Sequence, residues 1–135
     1  MRVVPVSLGD RSYGVTISGG GPEPVGEALV GVLGPRRVAV ITDRMVGPLY
    51  ADSVMGALAA AGCEAGLFTM DVGEEAKTVR TASAAWAWLL EGGYDRSAVV
   101  LALGGGVVGD MAGFVAATWM RGVDFVQCPT APGAG

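Results

Sequence analysis

Residues 98–103, Ala98-Val99-Val100-Leu101-Ala102-Leu103, carry no polar side chain, and residues 38–42 come close to the same pattern. A strand that is apolar on both alternating faces must be covered on both sides, whereas a half-exposed strand would alternate apolar with polar residues. Helical composition separates these runs: residues 49–61 end at Gly62, residues 78–91 are stopped by Gly92 and Gly93, and residues 107–120 follow a glycine cluster. Further strands are predicted at 65–70 and 125–128, and a short helix at 25–33 starts beside Pro24, as a first helical turn tolerates. Apolar strands alternating with helices predict an α/β fold, a parallel sheet with flanking helices on both faces. Ahead of it, the alternation in residues 3–8 and 13–18 around Gly9-Asp10-Arg11-Ser12 predicts an N-terminal β-hairpin. Without repeat or linker, residues 1–130 read as one α/β domain. After the last strand, Pro129-Thr130-Ala131-Pro132-Gly133-Ala134-Gly135 brings no covering helix, so 131–135 read as a divergent, truncated tail.

Of the 135 residues 51% are hydrophobic and only 16% charged, so the chain can bury enough apolar surface to offset its ordering entropy, and disorder is excluded. A formal net charge of -4 argues against a nucleic-acid partner, whose phosphates require clustered Lys and Arg. A nucleotide stays open, because backbone N–H groups at a helix start can hold one. The absence of histidine removes every mechanism that needs a His base or His metal ligand from within this chain. Cys63 and Cys128 lie far apart in apolar surroundings and read as buried free thiols of a reducing compartment. Asp10 and Arg11 intervene before a hydrophobic signal core forms, and no uncharged apolar run reaches the length of a membrane span. The expectation is a soluble, cytoplasmic chain with no membrane partner.

In an open parallel sheet, ligands bind beyond the carboxyl ends of the strands, so the loops after each strand are the places to look. The strongest is Gly104-Gly105-Gly106-Val107-Val108-Gly109-Asp110, which follows the most apolar strand and opens a helix. Its glycines let a ligand approach the backbone, and the helix start favours a pyrophosphate. Gly104, Gly106 and Gly109 satisfy G-x-G-x-x-G, but late in the chain and with no acidic residue closing the next strand, so the match alone carries little. A tight strand-to-helix turn in a glycine-rich chain would read the same. In Asp71-Val72-Gly73-Glu74-Glu75-Ala76-Lys77, the carboxylates and Lys77 could reach ribose hydroxyls or merely sit at a helix N-terminus. Asp43 could hold a ribose or cap the next helix. Trp86, Trp88 and Trp119 fall in helical segments and read as core, and Arg121 reads as a surface charge whose planar fork would suit a phosphate.

Residues 103–114, Leu-Gly-Gly-Gly-Val-Val-Gly-Asp-Met-Ala-Gly-Phe, followed by Arg121-Gly122-Val123-Asp124-Phe125-Val126-Gln127-Cys128-Pro129-Thr130, closely resemble the signature of the 3-dehydroquinate synthase family. The opening Val6-Ser7-Leu8-Gly9-Asp10-Arg11-Ser12-Tyr13 and the loop Gly73-Glu74-Glu75-Ala76-Lys77 resemble the same family. The resemblance implies a two-domain enzyme of the shikimate pathway: a Rossmann-like NAD-binding domain, and a helical domain with a zinc or cobalt site and most of the substrate pocket. Such enzymes convert 3-deoxy-D-arabino-heptulosonate 7-phosphate to 3-dehydroquinate and phosphate. By resemblance, Glu74, Lys77, Gly105, Gly106, Val107, Val108, Gly109, Asp110 and Thr130 contact NAD, with Asp43 near the adenosine ribose. Arg121 matches an arginine that reaches the substrate phosphate of the partner subunit in a homodimer.

The family continues P-T-T-L-L-A-Q-V-D-S, where this chain reads Pro129-Thr130-Ala131-Pro132-Gly133-Ala134-Gly135. The second threonine, later lysines and the metal ligands, one Glu and two His in the family, have no counterpart. With suitable codons, a short deletion in the second threonine codon converts the family string into this tail followed by a stop, so a frameshifted or mis-sequenced synthase is expected. The 135-residue chain is accordingly expected to be inactive alone and to bind NAD weakly. Three other readings stay open: a different sugar-phosphate cyclase, a glycerol-dehydrogenase-like oxidoreductase, and a non-catalytic nucleotide-binding or dimerisation module.

Overall fold

The computed structural model describes residues 3–5 and 23–130. Along the chain these form β1 (Val3–Pro5), α1 (Glu23–Leu33), β2 (Val38–Asp43), α2 (Gly47–Ala60) and β3 (Ala65–Met70), then α3 (Val79–Glu91), β4 (Val99–Gly104), α4 (Gly106–Thr118) and β5 (Asp124–Pro129). The strands make one sheet in the order β1-β5-β4-β2-β3, with every pairing parallel. The expected α/β architecture is therefore present.

Every residue of β2 and β4 is buried, which is why those two runs are apolar on both faces. Val38, Val40, Val99, Leu101 and Leu103 pack with Val25, Leu29, Val54 and Leu58 of α1 and α2. The intervening Ala39, Ile41, Val100 and Ala102 pack with Ala85, Leu89, Met111 and Val115 of α3 and α4. Chain order explains the sides: the step from β2 to β3 runs opposite to the steps from β3 through β4 to β5, and right-handed crossovers then put their helices on opposite faces. β3 ends the sheet and is only partly covered, leaving Leu67 exposed.

One expectation falls largely outside the described residues and another changes. Val3–Pro5 pairs in parallel with β5 at the sheet edge, in register Val3↔Phe125, while the turn and second strand of the expected hairpin lie outside the described residues. The helix expected at 107–120 stops at Thr118 and gives way to a 3-10 turn, Trp119–Arg121, with Met120 at φ 49° and Arg121 at φ 67°. A continuing helix would donate the Met120 N–H to the Ala116 carbonyl. The Val123 N–H takes that oxygen instead at 2.8 Å, and Gly122 at φ 106° turns the chain toward β5. Trp86, Trp88 and Trp119 pack against the core, as read from sequence, and Cys63 and Cys128 are buried free thiols. Among the described residues no helix is long and apolar enough to cross a membrane.

Candidate functional site

The β2–β3 ladder runs to Asp43↔Met70 and the β4–β5 ladder to Gly104↔Pro129, but β2 and β4 part after Ile41↔Ala102. Successive strands leave in opposite directions at this point, so no crossover helix covers the gap, and a crevice opens at the carboxyl ends. It has two lobes that meet at Gly105 and Gly106. One, of about 320 Å³, is lined by Asp43, Met45, Val72, Gly73, Val107 and Val108 as well as those glycines. The other, of about 300 Å³, adds Ala102, Gly104, Gly109, Asp110, Gln127, Cys128, Pro129 and Thr130.

Between the lobes α4 begins. Gly105 precedes it in extended conformation without a side-chain cap, so the first helical N–H groups are left for a ligand. A Cβ at Gly104 would fall 2.9 Å from the Val108 side chain, so only glycine lets α4 sit this close to the strand end. A Cβ at Gly106 would meet nothing within 4 Å. Thr130 donates its N–H to the Gly104 carbonyl at 3.2 Å, and its buried hydroxyl has no hydrogen-bond partner among the described residues. A buried polar group without a partner is costly, and the residue that bears this one lines the crevice.

Asp43 is buried, and its Oδ1 accepts the N–H groups of Met45 at 3.0 Å and Val46 at 2.8 Å. These bonds hold the turn that leads into α2 rather than capping the helix, whose N-cap Val46 has no side-chain cap, and Asp43 also lines the first lobe. Thr42, one residue earlier and fully buried, donates its hydroxyl to the Leu103 carbonyl at 2.8 Å. Lys77 and Glu74 line neither lobe directly. Lys77 Nζ lies 2.9 Å from Asp110 Oδ2 and 3.4 Å from Glu74 Oε1, tying the loop after β3 to the first turns of α4. The hydrogen bond and charge of Asp110, then the charge of Glu74, hold the Lys77 ammonium above its ordinary pKa of 10.5. Burial pushes the Cys128 thiol up to about 12, so it remains protonated and inert although it lines the crevice.

The fold sends Arg121 to another part of the domain. It lies beyond the far end of α4, a helix of 13 residues and hence about 20 Å long, so it cannot serve the crevice of its own chain. Met45, Val72 and Gln127 line the crevice without a role read from sequence. Gln127 was findable as a polar residue inside an apolar strand. Met45 and Val72 carry no local signal.

Fold and crevice together define an open-sheet α/β protein of the dinucleotide-binding type, with a glycine turn and a helix start at its switch point. The sequence profile described as 3-dehydroquinate synthase N-terminal matches residues 67–134, and the chain belongs to that family. It is 50% identical over 132 residues to the 3-dehydroquinate synthase of Geobacter metallireducens and 41% identical over 131 residues to that of Vibrio atlanticus. In both comparisons it is matched over 96% of its length and spans 36% of the relative. Among solved structures, 2-epi-5-epi-valiolone synthase from Streptomyces hygroscopicus, with NAD+ and Zn2+ bound, superposes with a TM-score of 0.67 at 29% identity. That match covers 93% of this chain and 31% of that one. A 2-deoxy-scyllo-inosose synthase gives a TM-score of 0.74 at 20% identity, over 94% of this chain and 32% of that one, which is a likeness of fold alone.

Proposed function

We propose that this chain is the NAD-holding half of a 3-dehydroquinate synthase, acting on 3-deoxy-D-arabino-heptulosonate 7-phosphate to give 3-dehydroquinate and phosphate. The observation that carries the reading is the buried hydroxyl of Thr130, without a partner among the described residues, on a residue that lines the same crevice as the uncapped start of α4 and the open space over Gly106. A dinucleotide would supply what each lacks: a hydrogen-bonding partner for Thr130 and a pyrophosphate for the N–H groups of Gly106, Val107 and Val108. In the wider assignment Asp43, Glu74 and Lys77 serve the adenosine side, and Gly105, Gly109 and Asp110 complete the cradle. When bound, NAD supplies a reversible hydride acceptor; the residues here hold and orient it.

No cluster of three or more His, Cys, Asp or Glu suited to a metal exists among the described residues, and the sequence has no histidine. The zinc or cobalt expected from the family does not fit the donors among the described residues, and in this reading the metal and acid–base groups belong to the part of a synthase that this chain does not span. In this reading Arg121 faces the substrate phosphate of a partner subunit, which suits its distance from its own crevice. The identities of 41% and 50% to 3-dehydroquinate synthases, against 29% to a valiolone synthase, favour dehydroquinate over another cyclised sugar phosphate.

Calorimetry with NAD at millimolar concentration is the direct test, and a saturable heat is expected. Phosphate release from the heptulosonate phosphate should be absent with this chain alone and appear when the remaining part of a family member is added. Saturable NAD binding without turnover in that mixture would favour a non-catalytic nucleotide module, and no binding would overturn the reading.

A further inference from the structure

Thr42 sits where the sheet divides, and neither motif nor resemblance assigns it a task. Its neighbour across the gap, Leu103, presents its carbonyl toward β2 just past the last rung, Ile41↔Ala102. The Thr42 hydroxyl, fully buried, takes that carbonyl at 2.8 Å. One residue on, the Gly104 carbonyl faces the other way and accepts the Thr130 N–H at 3.2 Å. Two successive peptide planes of β4 are thus held from opposite sides immediately before the chain enters Gly105 and Gly106. The methyl group of Thr42 faces Gly47, the first residue of α2, so closely that a Cβ added there would lie 3.1 Å from it. The same corner carries the Asp43 turn onto Met45 and Val46. One buried side chain therefore joins the two walls of the lobe between β2 and β4.

We infer that Thr42 is a positioning residue whose hydroxyl, by replacing the missing ladder bond to Leu103, sets the orientation of the glycine turn that receives the dinucleotide. The last clause rests on the proposed NAD site; the positioning itself does not. Without the hydroxyl, the Leu103 carbonyl would be a buried acceptor at the crevice floor, relieved only by a shift of β4 or an entering water.

Thr42→Val removes the hydroxyl at similar shape, and Thr42→Ser keeps it. Amide hydrogen exchange on the whole chain without cofactor reads the turn through two N–H groups, that of Thr130 on the Gly104 carbonyl and that of Gly109 on the Gly105 carbonyl at 2.9 Å. The amides of Val38 and Val99, bonded to Glu64 and Arg37 at the other end of the sheet, report general loosening. Thr42→Val should speed exchange at Thr130 and Gly109 about tenfold beyond any change at Val38 and Val99, and weaken NAD binding about tenfold. Thr42→Ser should restore both. Equal exchange changes at both ends, or no rescue by serine, would overturn the assignment. If the parent chain fails to bind NAD, the proposed function falls, yet the exchange comparison still decides the role of Thr42. Should Thr42→Val not fold, the parent decides alone: a Thr42 hydroxyl proton held on Leu103 must be protected from water exchange, and an unprotected one refutes the bond.

Discussion

Gly104 and Gly106 belong to one turn, yet a side chain would meet opposite fates at the two positions. At Gly104 a Cβ falls 2.9 Å from Val108, a clash that α4 can relieve only by lifting off the strand end. Gly104→Ala should therefore cost about 1–3 kcal/mol in urea unfolding. At Gly106 no described atom beyond its chain neighbours and its own helix lies within 4 Å of a Cβ, so Gly106→Val should change stability by less than about 1 kcal/mol. Its side chain would nevertheless project into the crevice, and calorimetry should show NAD binding weakened at least about tenfold, a loss near 1.4 kcal/mol. Unimpaired binding would remove the cofactor from that turn. The Lys77–Asp110 pair makes a second prediction. Because the Lys77 pKa is raised on folding, the pair's small contribution is complete below the ordinary value of 10.5 and is lost as pH climbs through the raised value. Asp110→Asn removes the largest cause, and a side-chain NMR titration should then find Lys77 closer to 10.5; an unchanged midpoint would mean the pair does not persist in solution.

At the scale of elements, the end of α4 distinguishes what periodicity can and cannot reveal. Apolar spacing continues past residue 118, so a helix to 120 is the natural sequence expectation, and only the capture of the Ala116 carbonyl by Val123 ends it sooner. Thr118 helps by directing its hydroxyl back to the Phe114 carbonyl at 2.7 Å while accepting the Trp86 indole N–H at 3.0 Å. The left-handed backbone at Met120 gives an ordering that a helix would reverse. Met120→Val should unfold at lower urea than Met120→Gly, by about 1–2 kcal/mol, because a β-branched residue tolerates positive φ poorly and glycine tolerates it freely. Were residue 120 helical, glycine would be the worse of the two.

For the whole molecule, the crevice is a consequence of sheet order. Helices fill both faces of β2 and β4, and the core is divided between them, so the gap at the carboxyl ends remains the natural place for a ligand. A ligand that joins Asp43 on β2, the turn after β4 and Thr130 after β5 bridges three strands at once. Bound NAD should therefore raise the unfolding temperature of the entire domain rather than protect one loop. At a hundredfold excess over Kd the expected stabilisation is about 2.7 kcal/mol, readable as a thermal shift of several degrees. A single transition that fails to move with NAD would contradict both the site and the cooperativity.

The kinds of element and most of their positions follow from the order of residues alone. Strand, helix and glycine turn are local matters: uniform apolarity marks a strand buried on both faces, and a glycine run after it marks a turn where the backbone approaches a ligand. Composition likewise removed histidine chemistry outright. Which loops meet is settled only once the strands have assembled. The Thr42 hydroxyl finds Leu103 across 61 residues, and Lys77 finds Asp110 across 33. Asp43 turns out to hold the turn before α2 through Met45 and Val46, while Arg121 is carried to the opposite end of α4. These depend on strand order, which arises from crossover handedness and from competition among pairings for the centre of the sheet, and no spacing along a single chain encodes that outcome.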